Sequence, residues 1–126
     1  DKKILDNFTN NITNLRKFID EQQLNSYVEF IVNALFAANK YFNDQEPWNK
    51  KSDQKRLNTI IYTSLELIRK ISIMLYPIIP NSSLKCLGAF NIKEKDIQFD
   101  TIKLHNSLKL NSKISKIDIL FKKILK

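Results

Sequence analysis

The side chains able to do covalent or acid–base chemistry are few in these 126 residues, and each stands alone. His105 has neither a cysteine nor a carboxylate within four residues, so it reads as a solvated or packing histidine rather than a general base. Cys86 stands beside Leu87 and two from Leu84, the setting of a small core hydrophobe. Asp44 and Glu46 could be taken for an acid–base pair, but they flank a helix end with no second pair, and loop solvation explains them. One Cys and one His cannot build a Cys/His zinc site or a disulfide. A single Gly excludes the glycine-built cradles that hold dinucleotides and triphosphates. No catalytic residue and no metal ligand is therefore expected on this chain.

Binding chemistry is better represented. The only Trp, Trp48, follows Pro47 directly, and Lys50, Lys51, Lys55 and Arg56 come next. An aromatic face beside cations suits single-stranded nucleic acid, with a base stacked on the ring and lysines meeting phosphates. Pro47 fixes its own backbone, so the ring needs less ordering on binding. A lone Trp between two helices can equally plug the core, and the local sequence leaves both readings open.

The elements that must position this turn are helices. Ile4, Leu5, Phe8, Ile12, Leu15 and Ile19 recur at helical spacing and predict one amphipathic helix over about 3–21. Leu24, Tyr27, Val28, Ile31, Leu35, Ala38 and Phe42 predict a second, and Phe30, Ala34, Ala37 and Tyr41 add a neighbouring face. Asn43 to Pro47 should end it, because proline disfavours helical geometry in the residue before it. Ser52 or Asp53 is a suitable N-cap for a third helix. Its apolar residues over 57–76 cover most of the circumference, which predicts a buried central helix stopped by Pro77 and Pro80. Residues 81–87 predict a short fourth helix closed by Gly88.

Beyond Asn91 the pattern changes to an extended tail, with alternation at 108–110 and 117–119 that suits one short strand pair. The expected architecture is all-α: an antiparallel helical bundle over 1–90, then a C-terminal linker and basic tail over 91–126. The net charge is +8, and residues 101–126 carry +6 of it, which suits nucleic acid or an acidic surface. Lysine outnumbers arginine eighteen to three, a bias of composition that weakens each lysine as a signal. The longest charge-free run, 71–84, holds two prolines, so no membrane partner is expected. No apolar stretch follows the basic start, and the lone thiol suits a reducing compartment; a cytoplasmic location is expected.

The segment Asn39-Lys40-Tyr41-Phe42-Asn43-Asp44-Gln45-Glu46-Pro47-Trp48 closely resembles the methionyl-tRNA synthetase family. In that family's anticodon-binding domain a helix ends in Asn-Lys/Arg-Tyr, followed by an acidic-polar stretch and Pro-Trp. The long apolar helix leading to Tyr76-Pro77-Ile78-Ile79-Pro80, the short helix to Leu87-Gly88, and Ile119-Leu120-Phe121-Lys122-Lys123-Ile124 at the end are similar to the family's in the same order. The resemblance implies an anticodon-binding bundle of the class I synthetase type. It implies that Trp48 stacks on the first anticodon base, with Pro47 shaping its support. Lys50, Lys51, Lys55 and Arg56 are the candidate phosphate contacts. The implied partners are the tRNA for methionine, through its CAU anticodon, and the enzyme's own catalytic domain, toward which the tail folds back.

The full enzyme so implied is a methionine–tRNA ligase. Its ATP, and its zinc, belong to a catalytic domain whose two adenylate-forming motifs and zinc knuckle are not in this sequence; no cofactor is expected on residues 1–126. The family's first anticodon-domain helix, with its Asn-x-x-x-Arg pair, finds no match in 7–16, so that pair is carried onto nothing here. Without that helix, Phe30, Phe36 and Tyr41 are candidates for exposed apolar surface, which leaves the oligomeric state open. The anticodon domain of another class I synthetase and a helical protein-binding adaptor are the alternative readings.

Overall fold

A computed structural model describes residues 1–103, 108–109 and 112–124. Six α-helices follow in order among them: α1 (Lys2–Asn10), α2 (Ile12–Asp20), α3 (Leu24–Gln45), α4 (Gln54–Leu75), α5 (Pro80–Ala89) and α6 (Phe99–Lys103). Short 3-10 turns stand at Pro47–Asn49 and Glu94–Asp96, and no strand occurs among the described residues. The all-α bundle is therefore as expected. α4 is its axis, packed against α1, α3, α5 and α6.

The core joins Phe8, Ile12 and Leu15 to Tyr27 and Ile31 of α3, Ile60, Leu67, Ile71 and Met74 of α4, and Leu87 of α5. Tyr27 is 1% exposed, and its hydroxyl donates to the carbonyl of Met74 at 2.5 Å. A helix leaves its last carbonyls without partners, so this phenol caps the C-terminal end of α4 from across the bundle. Burial pushes Tyr27 up to about 12.

Several expectations are corrected, one by a local contact and the others by nonlocal ones. The single helix over 3–21 is broken at Asn11, whose side-chain amide donates to the carbonyl of Asn7 at 2.8 Å. Asn side chains compete in this way with the helical ladder. In α3 the buried stripe is Tyr27, Ile31, Ala34 and Tyr41, whereas Leu24, Val28 and Leu35 are exposed. Tyr41 is thus not surface; its hydroxyl donates to Asp1 Oδ1 at 2.6 Å. Phe36, by contrast, is 69% exposed, as expected of it.

α4 is not buried by apolar residues all round. Ile61 and Ile68 are exposed, while Glu66, Arg69 and Lys70 are buried. The main chain at Thr101, Ile102 and Leu108 explains the inversion, because it meets the polar face. Glu66 accepts from the Leu108 N–H at 2.8 Å and from Arg69 at 3.0 and 3.2 Å. Arg69 donates to the Thr101 carbonyl at 3.1 Å, Lys70 donates to that of Ile102, and the Tyr62 hydroxyl donates to that of Leu108 at 3.2 Å. Each buried charge therefore has partners, as burial demands.

Gly88 lies inside α5 and does not close it. The left-handed residue after the helix is Asn91 (φ 60°), a type that tolerates this conformation. The alternating segments form no strand pair among the described residues; Leu110 and Asn111 lie outside them, as does His105. Cys86 is half-buried, and its sulfur accepts from the Ser72 hydroxyl at 3.3 Å.

Candidate nucleic-acid interface

The turn between α3 and α4 is built by local chemistry. Pro47 prevents the residue before it from continuing the helix, and Glu46 turns left-handed (φ 46°, ψ 59°). Pro47 then opens the 3-10 turn at its first position, where a missing N–H costs nothing. The Asn49 N–H donates to the Glu46 carbonyl at 2.9 Å, the Lys50 N–H to that of Pro47 at 3.1 Å, and the Asn49 side-chain amide to Glu46 Oε2 at 3.1 Å. Asp53 ends the connection as the N-cap of α4, accepting from the Arg56 N–H at 2.9 Å.

This frame buries Pro47 and leaves Trp48 50% exposed. Phe42, the last aromatic of α3, meets the Trp48 ring edge-on, with centroids 6.1 Å apart and planes at 63°. The indole therefore does not plug the core. It stands on a proline-fixed turn with an aromatic support, and half its surface faces solvent.

The four cations after it divide into two groups. Lys50, Lys51 and Lys55 are exposed and form no ion pair among the described residues. Arg56 is engaged: its guanidinium pairs with Asp1 and donates to Gln45 Oε1. It ties the start of α4 to the end of α3 and so holds the ends of the Trp48 turn together. On α3, Lys40 pairs with Asp44 at 3.0 Å, so this part of the resembling segment stabilises its own helix face. Phe42 and the tether of Arg56 were not assigned from sequence. The position of Phe42 at the end of its helical stripe hinted at the first, but nothing local predicts that Arg56 reaches Asp1.

No three metal-ligating side chains come together among the described residues, and no helix there is long and apolar enough to cross a membrane. The arrangement offers a flat aromatic surface, a rigid support and mobile positive charges, which is equipment for holding an unpaired base and its phosphates.

Comparison with known proteins identifies the family. A family model, the anticodon binding domain of methionyl tRNA ligase, matches residues 1–126. The chain is 34% identical to a methionine–tRNA ligase of Rickettsia typhi over 84% of its own length and 21% of that protein. It is 36% identical to that of Brucella suis over 79% of the chain and 19% of the relative. It is 30% identical to that of Picrophilus torridus over 79% of the chain and 13% of the relative. The chain thus spans about a fifth or less of the curated relatives it matches. With the whole sequence matched and the Pro-Trp turn folded as an exposed aromatic platform, the chain belongs to the family of anticodon-binding domains of methionyl-tRNA ligase.

Proposed function

We propose that this chain grips the CAU anticodon loop of the tRNA for methionine. In a longer, cytoplasmic ligase, that grip aligns the distant acceptor end for ATP-dependent attachment of methionine during protein synthesis. The observation that carries the reading is Trp48, half-exposed on a turn fixed by Pro47 and followed by three unpaired lysines. Trp48 stacks on the first anticodon base, Pro47 holds the ring's backbone, and Lys50, Lys51 and Lys55 meet phosphates. Arg56 acts through the turn's position, since its guanidinium is committed to Asp1 and Gln45. ATP and zinc are assigned to the catalytic part of the longer enzyme. The tail over 113–124 is read as a contact with that catalytic part.

Stacking of a base on an aromatic ring is worth about 1–3 kcal/mol by alanine substitution, or roughly five- to 150-fold in affinity. Trp48→Ala in the complete ligase is therefore expected to depress charging of the cognate tRNA by that factor while amino-acid activation stays nearly constant. Equal loss in both assays would mean that the ring serves folding and would overturn the stacking role. RNA binding that ignores salt would favour a protein-binding adaptor instead.

A further inference from the structure

Two clefts adjoin along the side of α4 that carries Tyr62. The first, about 530 Å³, begins at Leu57 and Asn58 and runs between α4 and Phe90. The second, about 510 Å³, opens between Arg69 and the stretch 90–96. They share Phe90, Leu108, Lys109 and Ser112, so they form one continuous trough. The stretch of α4 from Leu57 to Arg69 is about 18 Å long at helical rise. Its near end lies two residues beyond Lys55, the last of the unpaired lysines after Trp48. Its far end is lined by Lys93 and Lys95, and Lys109 stands where the two clefts meet.

The charge at that far end is not balanced from within. None of the three lysines forms an ion pair among the described residues, and Asp96 is the one carboxylate lining the cleft. Glu94, beside them in sequence, is drawn away: the Tyr76 hydroxyl donates to its Oε1 at 3.1 Å. Arg69 at the floor is matched by Glu66, so it adds shape rather than surplus charge. The C-terminal end of α5 also borders the trough, and a helix C-terminus repels anions. Its carbonyls are taken, however: Leu87 accepts from Phe90 and Ile92, Gly88 from Asn91, and Ala89 from Ser115. Half-buried Phe90 adds an aromatic wall where the two clefts meet. Unpaired cations spaced along a groove with an aromatic wall fit a polyanionic strand that carries planar bases.

We infer that this trough continues the RNA path away from Trp48, with Lys93, Lys95 and Lys109 taking phosphates of the strand that leaves the anticodon loop. The inference rests on the proposed anticodon-binding role, and it adds a second, sequence-independent anchor. Bases would be read at Trp48, and the trough would fix the direction of the strand. Engagement at both ends raises the effective concentration of each contact for the other.

The test is salt-dependent binding of an anticodon stem-loop RNA to the full chain and three variants. Each phosphate contact contributes about 0.7–0.9 to the slope of log affinity against log salt. The triple substitution Lys93→Gln, Lys95→Gln, Lys109→Gln is expected to flatten that slope by about two. An equal charge loss at Arg16, Lys17 and Lys85, on α2 and α5 and outside the trough lining, is expected to leave it nearly unchanged. Trp48→Ala is expected to weaken binding at every salt concentration without altering the slope. All six basic positions are exposed, so their replacement leaves the fold intact, checked by an unchanged thermal midpoint. A triple variant with the original slope, or a control that flattens it equally, overturns the trough while the Trp48 effect stands. If Trp48→Ala has no effect, the anticodon reading falls, and if the unaltered chain binds no RNA, both fall.

Discussion

At the scale of single residues, the lysines after Trp48 and the buried lysine of α4 make opposite predictions about charge. Lys50 and Lys51 are exposed and unpaired, so neutralising both to Gln is expected to flatten the salt slope of RNA binding by about one to two, with little effect on stability. Deleting 117–126, the part of the tail beyond Ile114 and Ser115 at the trough, should change that slope little, since those residues are assigned to contact with the catalytic part. Lys70 is different. Burial first, and then the neighbouring Arg69, lower it to about 8, while Glu66 and Asp6 partly restore it. Between about 8 and its ordinary value of 10.5 the unfolded chain holds a proton that the folded chain has released. Stability from this group therefore rises with pH across that window. Tyr27 acts the other way: raised to about 12, it keeps its proton in the fold while the unfolded chain loses it above 10, so its contribution falls with pH there. Urea midpoints are expected to climb from pH 7.5 to 9.5 and to decline above 10. Lys70→Met should remove the climb, and Tyr27→Phe should soften the decline.

At the scale of elements, the polar face of α4 is what fastens Thr101, Ile102 and Leu108 to the bundle. Glu66 is the hub, since it pairs with Arg69 and accepts the Leu108 N–H. Removing one member of a buried ion pair costs about 3–5 kcal/mol, because the survivor stays buried and uncompensated. Glu66→Leu is accordingly expected to lower stability by that order in urea unfolding and to speed tryptic cleavage at Lys95 and Lys103. Asp53→Ala, which removes only the cap of α4, is expected to cost about 1 kcal/mol. These two sites also mark how far the sequence can be read. The cap, narrowed to Ser52 or Asp53, and the Pro47 stop were legible because each depends on residues a few positions apart, whereas the exposure of Trp48 was not, since the local sequence allowed a core plug as well. The inverted face of α4 and the shifted stripe of α3 were not. Whether Glu66 or Ile68 is buried depends on where a segment some forty residues away lies, and periodicity carries no information about that. The break at Asn11 was missed for a third reason: the side chain, not the pattern, takes the carbonyl of Asn7.

At the scale of the whole molecule, α3 and α4 leave an apolar groove of about 430 Å³ between them, lined by Leu35, Ala38, Phe42, Ile61, Leu65 and Ile68. Exposed Phe36, Val28 and Val32 extend apolar surface along α3. Contiguous apolar surface of this kind is unusual on a monomer. The 126-residue chain by itself is expected to sediment with a weight that grows with concentration. Leu35→Glu with Ile68→Glu, both at exposed positions, should return it to a single monomeric species. A monomer at all concentrations would show that the groove closes or hydrates without a partner. Because Phe42 lines the groove and also supports Trp48, whatever fills the groove would stiffen the platform that meets the RNA.

The grip on Thr101, Ile102 and Leu108 has an evolutionary consequence. Tyr62, Arg69 and Lys70 hold the carbonyls of Leu108, Thr101 and Ile102, and Glu66 holds the N–H of Leu108, so the fastening reads backbone atoms and not side-chain identity. The remaining positions of the held stretch are free to drift, provided Ile97, Phe99, Ile102 and Leu108 stay apolar and 108 avoids proline. The four gripping residues have no such freedom, since each loss strands a buried polar partner. Saturation mutagenesis should therefore reveal an asymmetry that burial alone would not suggest: broad tolerance at Gln98 and Asp100, and near intolerance at four polar positions of one helix.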